Sequence, residues 1–201
     1  MSEFIFSITA TGEYKDKGSS FHAVAFPAFC INDVKSKLFS MKEKYSDASH
    51  ICYGYRIKIG QRLDEYASDA GEPKGSAGLP ILSALKKQNL INSIIIIIRY
   101  FGGSKLGIPR LKNAYGIAAG NAIENAKLTM WIEKKSLSIT YPYELKGVMD
   151  SILKKNKIEV TYQYFGEKID IHLDIDIKLA DKFIAIVNDL SVGKAKILSV
   201  H

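Results

Sequence analysis

The sequence predicts an α+β protein in two parts, and three observations carry that expectation. Residues 136–201 alternate between strand-like and helix-like hydrophobic periods in the order βαββαβ. The longer first part mixes the same two periods around a run of five isoleucines, Ile94 to Ile98. The charge also divides: residues 1–135 hold 19 Lys/Arg against 12 Asp/Glu and residues 136–201 hold 9 against 9, so the net +7 lies wholly in the first part. A boundary near Lys134–Ser136 follows, giving parts of residues 1–134 and 135–201.

In the first part, Phe4–Thr9 and Phe21–Phe26 read as strands, and Asn32 or Asp33 caps a helix running to about Tyr45. Ile51–Ile59 alternates as a strand, and a polar stretch follows to Gly78. Leu79–Asn89 is predicted helical with Pro80 in its first turn. Ile94–Ile98 has no alternation, which predicts a central strand buried on both faces. Leu111–Ala126 is the longest helix, and Ala114, Ala118 and Ala122 on one face allow close approach to a sheet. In the second part, Ser136–Tyr141 is a strand and Glu144–Lys155 a helix. Lys157–Tyr164 and Ile169–Ile177 form a hairpin about Gly166, followed by a helix at Lys178–Leu190 and a strand at Ala195–Val200. That order is the split βαβ, or ferredoxin-like, unit.

Composition removes several classes of function. Apolar residues at 47% and charged ones at 24% describe an ordinary globular chain rather than a disordered one. The five-residue isoleucine run is far shorter than the roughly 20 residues that span a bilayer. The first residues, MSEFIFSITATGEY, hold no basic segment of the secretory kind, so a cytoplasmic setting is expected. The two cysteines, Cys30 and Cys52, form no CxxC pair, in keeping with a reducing compartment. His22, His50, His172 and His201 are scattered without ligand spacing, so no metal and no cofactor is expected.

Two glycine-bearing segments concentrate the candidate chemistry, Asp69–Gly78 (DAGEPKGSAG) and Arg99–Gly107 (RYFGGSKLG). Each leads into the start of a helix, where unpaired N–H groups and the helix dipole favour anions. The link Leu90–Ser93 permits only an antiparallel return, so the start of the Leu79–Asn89 helix lies beside the end of the isoleucine strand. Both segments therefore meet at one end of the sheet. No Asp or Glu occurs between Glu72 and Glu124, a stretch that carries Lys74, Lys86, Lys87, Arg99, Lys105, Arg110 and Lys112. Such a single-sign field favours a polyanion. Arg110 and Lys112 fall in or near the first turn of a helix, where a cation is unfavourable unless an anion joins it.

The anion-binding candidates are Lys74, Gly75, Ser76, Ala77, Gly78, Arg99, Tyr100, Phe101, Gly102, Gly103, Lys105, Arg110 and Lys112. The cations are assigned to phosphates, the amides of Ser76–Gly78 and Gly102–Gly103 to oxygens, and Tyr100 or Phe101 to base stacking. About four phosphates held on a single strand would give log affinity a slope near −3 against log salt. His50, Asp69 and Glu72 are secondary candidates for proton transfer. Against that role, His50 and Cys52 share a strand face as core residues do, and acids beside Gly and Pro cap turns.

The segments SDAGEPKGSAGLPIL and RYFGGSKLG resemble the YigZ/IMPACT family, whose pattern reads approximately SDDGEPSGTAGxPIL and then VVxRYFGGxKLGxGGLxxAY. ASHICYGYRI and SSFHA resemble further family segments, so the likeness covers most of residues 18–126. It departs at Ala70, which replaces the second Asp of DDG, at Ile108–Pro109–Arg110, which replaces a glycine-rich run, and at Lys112–Asn113. The resemblance implies a ribosomal-protein-like first domain similar to elongation factor G domain IV. It also implies a ferredoxin-like second domain similar to the last domain of that factor. It further implies a link to translation control and binding to RNA or the ribosome, without an established reaction. Two other readings stay open: a nucleotide-binding enzyme using the Gly75–Gly78 loop, though no GxxxxGK[ST] is present, and a module binding a protein of the translation machinery.

Overall fold

The computed structural model describes residues 2–60 and 62–200; His201 lies outside the described residues. The chain divides into two compact units, Met1–Trp131 and Ile132–His201.

In the first unit a five-stranded sheet runs in the order β2-β3-β6-β4-β5, formed by β2 (Ala10–Asp16), β3 (Ser19–Pro27), β4 (His50–Ile59), β5 (Arg62–Ser68) and β6 (Ser93–Tyr100). Every pairing is antiparallel. The central strand β6 carries the isoleucine run, and its two faces feed two cores. Ile95 and Ile97 pack with Phe21, Ala23, Cys52 and the helices α2 (Gly78–Lys87) and α3 (Ile108–Glu124). Ile94, Ile96 and Ile98 pack with Val24, Phe26, Ile57 and Val34 of α1 (Ile31–Lys44). The expectation of a strand buried on both faces holds, because helices cover both sides. The alanine face of α3 also holds: Ala114, Ala118 and Ala122 are fully buried. Gly12 on β2 is part of the same contact, since a Cβ there would lie 2.2 Å from the backbone nitrogen of Ala122.

Several boundaries differ from the expectations. Phe4–Thr9 is not one strand: β1 (Phe4–Phe6) pairs with a short β7 (Leu128–Met130), and β2 begins at Ala10. The polar stretch after Ile59 contains β5, an edge strand whose sequence RLDEYAS has no clean apolar alternation because no residue in it is fully buried. Helix α3 starts three residues before Leu111, and Pro109 fits there because the first helical turn needs no intrahelical donor.

The second unit has the sheet order β11-β8-β10-β9, from β8 (Lys134–Tyr141), β9 (Val160–Phe165), β10 (Ile169–Asp176) and β11 (Lys196–Val200). With α4 (Lys146–Lys155) and α5 (Ile177–Leu190) this is the ferredoxin-like arrangement that the βαββαβ order predicted. The first expected helix opens with a 3₁₀ turn, Tyr143–Leu145, before α4. The hairpin starts later than expected, at Val160, after Lys157 turns the chain at φ 53°. Asp176 caps α5, its side chain accepting from the amide of Lys178 at 2.9 Å.

Replacing Gly12 by Ala forces β2 off α3. The expected cost is about 1–3 kcal/mol, read as a lower denaturant midpoint of Trp131 fluorescence, since that is the single tryptophan and lies in the first unit.

Candidate functional site

Strand register begins the site. The pairing β3–β6–β4 sets Phe21 opposite Arg99 and Arg99 opposite His50. All three follow the parity of Ile95 and Ile97, so they point to the α2/α3 face at the end of β6. The two glycine segments arrive at this same end and enclose a cleft of about 400 Å³. Gly71, Glu72 and Pro73 of the first segment line it, with Phe101, Lys105 and Leu106 of the second.

A buried ion pair ties the segments together. Arg99 Nη1 donates to Glu72 Oε1 at 2.5 Å, and the two side chains are 6% and 3% exposed. The same oxygen accepts from the Tyr115 hydroxyl at 2.9 Å. Arg99 Nη2 reaches Ser19 Oγ at 3.4 Å, and its guanidinium lies 5.4 Å from the Phe21 ring and 5.6 Å from the Phe101 ring. Arg99 Nε and Ser76 Oγ are buried without a hydrogen-bond partner. Ser19 Oγ also accepts from the amide of Gly102 at 3.1 Å. Gly102 is required there, because a Cβ would fall 1.9 Å from the carbonyl carbon of Gly18.

Asp69 organises the first segment. Its carboxylate accepts from the amides of Gly75 at 2.7 Å and of Ala77 and Gly78 at 2.9 Å. Partial burial raises the pKa of this group, but the three N–H donors outweigh that and hold it below the ordinary value of 3.8. The amide of Ser76 is bonded to Pro73 O. The amides expected to hold a ligand anion are thus already filled from within, three by the Asp69 carboxylate and that of Ser76 by a carbonyl, which corrects the assignment of Gly75, Ser76, Ala77 and Gly78 as anion contacts.

The remaining candidates separate clearly. Arg99 is buried and neutralised by Glu72, so it is not a phosphate contact. Arg110 pairs with Asp16, Nη2 to Oδ1 at 3.0 Å and Nε to Oδ2 at 3.2 Å, so the protein itself compensates the charge expected to await an anion. Tyr100 has the parity of Ile94, Ile96 and Ile98. It packs with the α1 core and donates to Asp47 Oδ1 at 2.9 Å, and that bond raises its pKa. It shares no stacking platform with Phe101, which is 49% exposed beside the cleft. Gly102 packs on the β2–β3 turn, and Gly103 follows at φ 84°. Lys74, Lys105 and Lys112 are exposed and have no ion-pair partner among the described residues.

Two groups near the cleft bear on catalysis. Burial pushes the Cys52 thiol up to about 12, so it stays protonated at neutral pH; its Sγ lies 2.9 Å from Asp69 O. His50 Nδ1 is 3.0 Å from Ala70 O; a carbonyl only accepts, so Nδ1 carries the proton. No group of three or more His, Cys, Asp or Glu among the described residues is placed to hold a metal. The sequence reading missed Ser19, Asp16 and Tyr115. Ser19 lay inside the SSFHA likeness, whereas Asp16 and Tyr115 gave no local signal because their partners are distant in the chain.

An antiparallel five-stranded sheet unit bearing paired glycine segments at one end, followed by a ferredoxin-like unit, defines the two-domain class to which this chain conforms. The model of the Impact N-terminal domain matches residues 17–123, and the chain belongs to that family. Similar relatives include the IMPACT family member YvyE of Bacillus subtilis, 28% identical over 160 residues, covering 78% of this chain and 72% of the relative. The "IMPACT family member in pol 5'region" of Thermus thermophilus is 30% identical over 151 residues, covering 75% and 80%. Human Protein IMPACT is 32% identical over 114 residues, 54% of this chain and 35% of that protein. A crystal structure of a protein described as hypothetical covers 100% of this chain and 98% of its own at a TM-score of 0.69 and 21% identity, a likeness of fold. No helix among the described residues is long and apolar enough to cross a membrane.

Replacing Arg99 by Met leaves Glu72 charged and buried without its cation, at an expected cost of about 3–5 kcal/mol. Adding Glu72→Gln should recover part of that loss, read from urea midpoints of the single and double variants. Asp69→Asn is expected to cost about 1–3 kcal/mol. Because folding holds the Asp69 carboxyl below 3.8, its contribution is complete above that value and fades as pH falls through the depressed folded value. The wild type should therefore lose its margin over Asp69→Asn as midpoints are followed from pH 6 towards pH 3.

Proposed function

We propose that this chain is a non-enzymatic, translation-associated protein that binds RNA, alone or within the ribosome, through the rim of the cleft in its first unit. Family membership supplies the setting, since the likeness to the YigZ/IMPACT pattern implies translation control. The observation that carries the reading is the charge of the rim. Lys74, Lys105 and Lys112 are exposed without ion-pair partners among the described residues, and each is a cleft residue or a chain neighbour of one. The buried charges between them, Arg99 and Glu72, cancel each other. A free cationic rim around an internally neutral floor attracts phosphates from outside. Phe101 adds an exposed ring on which a base can stack.

The occupied amides of the Gly75–Gly78 loop argue against that loop cradling a nucleoside triphosphate, and the protonated Cys52 argues against a thiolate nucleophile. Removing Arg99 and Arg110 from the ligand set leaves three lysines in place of four or more cations. The expected dependence of log affinity for single-stranded RNA on log salt is then a slope of about −2. Fluorescence anisotropy of a labelled oligonucleotide between 50 and 200 mM salt, on the order of the range where such slopes are read, measures it. Lys105→Glu should weaken binding to all sequences alike and flatten the slope, because phosphate contacts carry no base information. Salt-independent binding, or none at low salt, contradicts the reading.

A further inference from the structure

We propose that the groove between α4 and α5 of the second unit binds an apolar monocarboxylate, a molecule of the fatty-acid class. The site uses no residue of the first unit, so this proposal and the RNA reading can fail separately. The groove has a volume of about 590 Å³, inside the range of about 300–1,000 Å³ usual for small-molecule pockets. Each helix commits one stripe to the core under it: Met149, Ile152 and Leu153 of α4, and Ala180, Phe183 and Val187 of α5. A second apolar set, Val148, Ile186 and Leu190, is left to line the groove with the buried Ile152. Two small residues keep it open. Gly147 and Ser151 stand one turn apart on α4, and a Cβ at Gly147 would meet nothing within 4 Å.

The two ends of the groove differ, and that difference selects the ligand. Strands β8 and β9 each pair antiparallel with β10, so α4, which joins β8 to β9, runs antiparallel to α5, which follows β10. Leu190 of α5 therefore shares an end with Gly147 and Val148, and Lys182 shares the other with Lys155 and Asn156. No acid lines the groove, and neither lysine has an ion-pair partner among the described residues. The Ser151 hydroxyl donates to Gly147 O and the Asn156 amide group to Ile152 O, both at 2.8 Å, so these donors are satisfied within α4. The two ammonium groups are thus the free side-chain donors of the lining. Helix-dipole compensation accounts for Lys155 in the last turn of α4. It does not account for Lys182, which lies in the N-terminal half of α5. A carboxylate at this end relieves the repulsion between the two cations, and an apolar tail covers the side chains at the other. From Gly147 to Lys155 the helix rises about 12 Å, the reach of an extended decanoyl chain.

The test is calorimetric titration of the full chain with decanoate, octanoate, decylamine and an amphipathic helical peptide of leucine and glutamate. Decanoate should bind saturably at one site. Octanoate should bind about tenfold more weakly, because each methylene withdrawn from water is worth about three- to fourfold in affinity. Decylamine should not bind. The double variant Lys155→Glu with Lys182→Glu should lose decanoate and gain decylamine, a gain that only a folded groove can show. Ser151→Trp fills the groove from an exposed position and should abolish decanoate binding, with circular dichroism confirming the fold. No binding of decanoate, binding that survives Ser151→Trp, or equal binding of decanoate and decylamine overturns the proposal. Peptide binding without decanoate binding also overturns it and assigns the groove to a partner helix. A ligand-free dimer that Ser151→Trp separates on sedimentation overturns it too, in favour of a second copy of the chain.

Discussion

The pair between Arg99 and Glu72 is the constraint on which the functional end of the first unit depends. Arg99 is the last but one residue of the buried central strand, and Glu72 sits in a segment that enters α2 from the edge strand. An isolated charge at either position would be costly to bury, so each side chain requires the other in place. Meeting that requirement draws the Asp69–Gly78 and Arg99–Gly107 segments together. Tyr115 from α3 closes the network on Glu72, so three elements of different origin in the chain converge on one carboxylate.

This arrangement separates two roles that glycine-rich, basic segments often combine. Glycines and buried charges build the frame: Asp69 holds the first loop by its amides, Gly102 lets the second loop meet the β2–β3 turn, and Asp16 neutralises Arg110. The proposed recognition falls to the lysines on the rim and to the lining of the cleft. A charge count along the chain cannot tell these roles apart. Of seven cations in the acid-free stretch, three proved to be partners of acids lying outside it or at its edge: Lys86 with Glu65, Arg99 with Glu72 and Arg110 with Asp16.

Much of the fold was legible because it rests on local periodicity. The isoleucine run required two covered faces, the alanines of α3 required a close neighbour, and the βαββαβ order named the second unit. Convergence of the two glycine segments was also legible, since the Leu90–Ser93 link left only an antiparallel return. Edge strand β5 was not, because a strand covered by little leaves no apolar pattern to read. In the site, the separation of Tyr100 from Phe101 was available in principle: parity along β6 turns Arg99 and Tyr100 to opposite faces. Side chains that act across long sequence separation, such as Asp16 on Arg110, Ser19 on Gly102 and Tyr115 on Glu72, were beyond reach. Nothing local distinguishes a surface serine or acid from one that meets its partner only after folding.

The central claim is that one buried pair holds both loops, and amide hydrogen exchange on the Arg99→Met variant tests it most directly. The account predicts that protection falls together across residues 69–78 and 99–107, while β8 to β11 of the second unit keep theirs. Loss confined to the segment carrying the substitution, with residues 69–78 as protected as in the wild type, would contradict it.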